Sequence, residues 1–125
     1  MTERRLIISG TREALSAEDR AIVLDVVRPY ADLGWVLGVG DCPTGVDALI
    51  RATWPEAHVE CADWRRLGKH AGPARNARLV AWASEVPGGA LAALPRRTSR
   101  GTWDCVRQAR AADLSIAIKR LGGAR

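Results

Sequence analysis

Leu6-Ile7-Ile8-Ser9-Gly10 is the stretch whose reading decides the fold. Consecutive apolar residues with no polar alternation suit a strand buried on both faces, and Ser9-Gly10 ends it in a turn. Strands of that kind belong to parallel sheets, so a helix is expected next. Ser16-Ala17-Glu18-Asp19 supplies its start, with the spacing of a capping box and Asp where Glu or Gln is usual. Ile22, Val23, Val26, Val27 and Tyr30 then recur at helical spacing. Pro29 predicts that this helix kinks or ends near Val27.

The same unit repeats along the chain. Trp35-Val36-Leu37-Gly38-Val39 reads as a second strand, and Gly40-Asp41-Cys42-Pro43 as its turn. Thr44-Gly45-Val46-Asp47 is a second capping-box spacing, opening a short helix through Val46, Leu49, Ile50 and Trp54 that stops before Pro55. His58-Val59-Glu60-Cys61-Ala62 is a weaker strand because two of its residues are polar. A helix is expected over 74–85, with Leu79, Val80 and Ala83 on one face, then a strand over 89–94 ended by Pro95. A helix near 102–112 and a strand over 114–118 complete the pattern. This alternation predicts an α/β, single-domain, Rossmann-like three-layer fold: a five-stranded, mainly parallel sheet flanked by helices. The domain is expected over 1–125, with a core at about 5–118 and a frayed, basic tail over 119–125.

A chain of 125 residues is long enough for one such domain. No apolar stretch approaches the length of a membrane span, and no apolar segment follows the charged start Thr2-Glu3-Arg4-Arg5, so a cytoplasmic protein is expected. Net charge is +5, and Lys69 and Lys119 are the only lysines; the Arg excess suits phosphate recognition and is equally compatible with a compositional bias of the source genome. The charges are scattered apart from short pairs such as Arg65-Arg66 and Arg96-Arg97, so no nucleic-acid stripe is indicated. Cys42, Cys61 and Cys105 form no C-x-x-C and have no zinc spacing, and His58 and His70 add no ligand pair. No metal is expected, and the thiols read as reduced and structural.

In parallel α/β folds ligands bind beyond the carboxyl ends of the strands. Those ends are Gly10-Thr11-Arg12, residues 40–45, residues 63–76 and residues 95–102, each carrying Gly with a hydroxyl, Asn or Arg. Gly72-Pro73 reads as a helix start, with Gly at the N-cap and Pro at the first helical position. Arg75 and Asn76 then fall in the first turn, where free N–H groups favour an anion. Gly45 offers close backbone approach to a phosphate, with Thr44 capping the helix or contacting the phosphate and Gly40 a further candidate in the same loop; Pro43 breaks the G-x-G-x-x-G pattern and no Walker A run occurs. Asp47 is a candidate for a ribose hydroxyl, with a first-turn acid complementing the helix dipole as the preferred role. Ser99, Gly101 and Thr102 offer hydroxyls and N–H groups at another helix start, Thr102 being a natural N-cap. Trp64 is a candidate for stacking on a base, although a plug for the sheet edge is the favoured role. Trp35, Trp54, Trp82 and Trp103 read as core or helix-packing residues.

Ser9-Gly10-Thr11-Arg12, Gly40-Asp41-Cys42-Pro43-Thr44-Gly45-Val46-Asp47, Ala62-Asp63-Trp64, the run Gly68-Lys69-x-Ala71-Gly72-Pro73-x-Arg75-Asn76, and Ser99-Arg100-Gly101-Thr102 follow one another in an order that resembles the YspA/CpYpsA-related branch of the SLOG superfamily. That superfamily joins the Smf/DprA proteins and the lysine-decarboxylase-like "Lonely Guy" proteins. The resemblance implies a Rossmann-like fold that binds nucleotides, with phosphate contacts at Thr11, Arg12, Gly45, Arg75, Asn76, Ser99, Gly101 and Thr102. The superfamily's phosphoribohydrolases carry P-G-G-x-G-T-x-x-E in the last loop, with a catalytic Glu. Cys105 stands at that Glu position here, and Asp104 lies one residue early, about 100° away around a helix.

The expected function is binding of a nucleotide or nucleotide-derived ligand, ADP-ribose-like or a nucleoside monophosphate, as a sensor or binding module. No cofactor beyond that nucleotide-type ligand is indicated. The alternative is a nucleotide-processing hydrolase, for which Asp41 and Asp104 are the candidate acids, with Asp47 and Asp63 also near the edge. The third reading is a nucleic-acid binder resembling Smf/DprA. A homodimer through exposed Trp and Ala-rich helix faces is left open, and no membrane partner is expected.

Overall fold

The computed structural model describes residues 3–122, and residues 1–2 and 123–125 lie outside the described residues; the expected frayed tail is not loose over 119–122, where Leu121 is buried and Gly122 N donates to Asp19 Oδ1 at 3.0 Å. Five strands form one sheet: β1 (Arg5–Gly10), β2 (Val36–Gly40), β3 (His58–Glu60), β4 (Ala90–Leu94) and β5 (Ser115–Ile118). Their order is β3-β2-β1-β4-β5, and every adjacent pair is parallel. Helices α1 (Ala17–Asp32) and α2 (Gly45–Thr53) make the crossovers from β1 to β2 and β2 to β3. Beyond β3 come the short α3 (Trp64–Leu67), a 3₁₀ turn (Gly68–His70) and α4 (Ala71–Ser84); α5 (Arg100–Ala111) joins β4 to β5.

Side chains alternate between the two faces of a strand, so the central strands feed two cores. Leu6 and Ile8 pack with Ala92, Leu94 and Val39 against Val23 and Val27 of α1 and Val46 and Ile50 of α2. Ile7 and Leu91 point the other way, onto Leu79 and Ala83 of α4 and Val106 and Ala109 of α5. Ile7, Leu6 and Ile8 are fully buried, each worth about 1.5–3 kcal/mol relative to exposure. The first strand thus belongs to both cores, which is why its unbroken apolar run defines the architecture.

Several expected boundaries move. Helix α1 does not end near Val27 but runs through Pro29 to Asp32. Pro29 is exposed, so the Asp25 carbonyl that its missing N–H leaves free lies on the solvent side. Ser16 does cap α1, accepting from Asp19 N at 3.0 Å. Thr44 makes no side-chain cap on α2. Helix α4 starts at Ala71 with His70 at the N-cap position, so Gly72-Pro73 falls inside its first turn, where a proline's absent N–H is still harmless. Most of the expected 63–76 loop is therefore helical. Helix α5 starts at Arg100, which makes Ser99 and not Thr102 its N-cap residue. Among the described residues no helix is long and apolar enough to cross a membrane.

Candidate functional site

The connections leaving β1 and β4 diverge to opposite sides of the sheet, and adjacent strands that part in this way open a crevice at their carboxyl ends. A cavity of about 430 Å³ occupies that position. Its wall takes Gly10, Thr11 and Arg12 from the end of β1, Gly40 and Cys42 from the end of β2, and Asp47 from α2. Arg75 and Asn76 come from α4, and Ser99, Gly101 and Thr102 from the start of α5. Segments separated by up to some ninety residues therefore meet at one edge, because each follows a central strand or faces one.

Asp41, Thr44, Gly45, Trp64, Gly72 and Asp104 stand outside that wall. Gly45 has φ +73°, and a Cβ there would lie 2.2 Å from Thr11 O. The close approach that its missing Cβ permits is to the backbone after β1. Val46 N donates to Thr11 O at 2.9 Å and Thr44 Oγ1 donates to Arg12 O, so this corner locks α2 to the β1 loop. Trp64 does not plug the sheet edge: it is 48% exposed, with the Arg12 guanidinium 5.6 Å from its ring centroid. Gly72 packs under that ring, its Cβ position 3.4 Å from Trp64.

The candidate acids are held in place by other groups. Asp41 Oδ1 accepts from Arg75 Nη1 at 3.1 Å and from Ala62 N at 3.2 Å. Asp104 Oδ2 accepts from Asn76 Nδ2 at 3.0 Å and Gln108 Nε2 at 2.9 Å, while its Oδ1 accepts from Arg107 at 3.0 Å. Asp63 accepts from Arg66 N as the N-cap of α3. Arg75 is correspondingly not a free guanidinium at a helix terminus. It is 8% exposed, ion-paired to Asp41, and its Nε donates to Asn76 Oδ1 at 3.2 Å. Asn76 Nδ2 reaches Gly101 O at 3.1 Å, binding α4 to the first turn of α5.

The start of α5 is the open part of the wall. Ser99 leaves the helix uncapped because its Oγ accepts from Arg96 N at 2.9 Å. Free N–H groups of a first turn attract anions, and a Cβ at Gly101 would meet nothing within 4 Å. Thr102 is 2% exposed, yet among the described residues its Oγ1 has no hydrogen-bond partner. Arg12 and Arg100 line the same cavity, and neither makes an ion pair among the described residues.

Two titratable groups are shifted here. Burial raises the Asp47 carboxyl above its ordinary range, partly opposed by Arg75 and by the Cys42 amide. Burial likewise pushes the Cys105 thiol up to about 12, so it stays protonated at neutral pH and supplies neither nucleophile nor base. Glu13, Cys42, Thr98 and Arg100 also line the cavity although the sequence did not mark them as binding candidates; Cys42 and Arg100 lie inside two of the strand-end loops that it did mark. Among the described residues no group of His, Cys, Asp and Glu could hold a metal.

No protein-family model matches this sequence, and no curated protein does. Among solved structures the chain is similar to DNA processing protein A from Helicobacter pylori, a protein described for its single-stranded DNA binding mode. The TM-score is 0.73 at 14% identity, over 99% of this chain and 68% of that one. The likeness is one of fold.

Proposed function

We propose that the chain is a binding module for a nucleotide or nucleotide-derived ligand, a nucleoside monophosphate or an ADP-ribose-like molecule, whose phosphate lies at the start of α5. The observation that carries this reading is the buried, unpartnered Thr102 hydroxyl beside the uncapped first turn. A phosphate oxygen satisfies both the hydroxyl and the free N–H groups, and Arg12 and Arg100 add charge. The quoted sequence blocks and the likeness of fold support assigning the chain to the YspA/CpYpsA-related branch of the SLOG superfamily as part of this proposal.

The test is calorimetric titration of the full chain with AMP, CMP and ADP-ribose. Binding tighter than millimolar by at least one is expected. Thr102→Val removes the hydroxyl at constant shape; it should weaken that ligand by about tenfold while leaving the fold as stable or more so. No binding by any of them at millimolar concentration overturns the proposal.

A second reading, single-stranded nucleic-acid binding, draws on the fold shared with DNA processing protein A and on the exposed Trp64 beside Arg12. Exposed aromatic rings stack on bases and guanidinium groups track phosphates. It requires an affinity for oligonucleotides that falls linearly on a log–log plot against salt. The hydrolase reading has less support: Cys105 is a buried thiol where the resembled enzymes have Glu, and Asp104 is held by Asn76, Gln108 and Arg107.

A further inference from the structure

The cavity also carries a carboxylate that the proposed phosphate contact does not use. Glu13 and Asp47 are the acidic residues in its wall. Glu13 is exposed and ion-paired with Arg96 at 2.8 Å. Asp47 is 8% exposed, and its Oδ2 accepts from Cys42 N at 3.2 Å. Among the described residues no side chain donates to it and no cation pairs with it within 4.0 Å, although Arg75 lies close. A buried carboxylate with unused lone pairs seeks a donor.

The donor's chemistry is narrowed by the neighbours. A phosphate is repelled by Asp47, so the anionic end of a ligand belongs at α5. A cationic donor is opposed by Arg75 and Arg51, whose fields both act on Asp47. Arg75 is fixed by Asp41, and Arg51 by the Gly40 carbonyl, so neither swings over to pair with it. A neutral donor remains, a hydroxyl or an amine, and the sugar that carries the phosphate brings hydroxyls with it. One cavity of about 430 Å³ is lined by both Asp47 and the start of α5, so a single small molecule that carries a phosphate and hydroxyls can meet both.

We infer that Asp47 accepts the hydroxyls of a sugar phosphate, so that the site takes ribose 5-phosphate esters and discriminates against their 2-deoxy counterparts. This inference rests on the phosphate reading proposed above. It makes free ribonucleotides, rather than DNA, the ligand class of this cavity. Asp47 is then a specificity residue, and its unmet hydrogen-bonding capacity in the free protein is what the sugar satisfies.

The experiment is calorimetry on the full chain at neutral pH with ribose 5-phosphate, 2-deoxyribose 5-phosphate, AMP, 2′-deoxy-AMP and inorganic phosphate. Ribose compounds should bind at least about tenfold more tightly than their deoxy partners, the difference expected for a hydroxyl on a buried charged acceptor. The pair lacking a base separates the sugar from an exocyclic amine as the donor. Asp47→Asn should reduce the preference to about threefold or less and keep or tighten binding of inorganic phosphate. Asp47→Ser serves the same purpose if the first variant does not fold. Equal affinities of ribose and deoxyribose compounds for the natural chain overturn the inference and leave the phosphate reading standing. A preference that survives in the variants overturns the role of Asp47. Failure of every ligand, inorganic phosphate included, overturns both.

Discussion

Asp19 and Asp47 occupy the same place in two successive units, the third position of the helix that follows a central strand. Both are buried, 2% and 8% exposed respectively. Their surroundings differ. Asp19 Oδ2 pairs with Arg96 Nη2 at 2.8 Å, and its Oδ1 accepts from Gly122 N at 3.0 Å. Those partners hold its carboxyl below the ordinary value of 3.8 despite burial. Among the described residues Asp47 has a backbone amide and no ion pair, and burial moves it the other way. The satisfied carboxylate stabilises the fold, closing the turn after β4 onto the start of α1. The unsatisfied one costs stability, and it faces the cavity. Buried acids that look alike along the chain thus divide between structure and recognition according to who supplies the donors.

The contrast breaks most visibly at Asp19. Asp19→Ala strands the Arg96 guanidinium and the Gly122 amide, and should destabilise the chain by about 3 kcal/mol, read as a fall in the denaturation midpoint. If Asp19→Ala and Asp47→Ala are equally tolerated, the distinction fails. Next in size is the cap: Ser16→Ala should cost about 1 kcal/mol, because Ser16 Oγ accepts from Asp19 N.

Asp47→Asn should act with the opposite sign, stabilising by roughly 0.5–1 kcal/mol at neutral pH because an ionised buried carboxylate is removed. The pH dependence sharpens the same contrast. The Asp19 contribution is full above its unfolded value of 3.8 and is lost as pH falls through its depressed folded value. The Asp47 contribution is present below 3.8 and is lost as pH rises through its raised folded value. Urea unfolding at a series of pH values should therefore show Asp47→Asn removing a decline that sets in as pH rises above 3.8, and Asp19→Asn removing one that sets in as pH falls below it. The smallest effect is at Thr44, which makes no cap: Thr44→Val should cost only about 0.5 kcal/mol, for the lost bond to the Arg12 carbonyl.

The strand–helix alternation was legible in the chain because an unbroken apolar run such as Leu6-Ile7-Ile8 has few ways to be buried other than between two helical layers. The loops at the carboxyl edge were legible for a related reason: Gly, hydroxyls and Asn gather where helices begin. Sequence reasoning failed where a second segment supplies the answer. Gly72-Pro73 looks like a helix start, but a short helix and a 3₁₀ turn run directly into it. Gly45 looks like a phosphate cradle, but the β1 loop lies against it at a distance no Cβ tolerates. Arg96 looks like a surface charge until Asp19, some eighty residues earlier, is placed beside it.

The order of residues alone determined the class of fold, the edge where the loops collect, and the candidates gathered there, since these follow from periodicity and from the local chemistry of helix ends. Only the tertiary structure decided the strand order, the cavity, and which polar groups entered it already satisfied. Hydrogen-bond partners such as Arg75 for Asp41, or Asn76 for Gly101, lie tens of residues away in the chain. Whether a buried group is paired or left open is therefore a property of packing, and that property separates a structural acid from a candidate binding one.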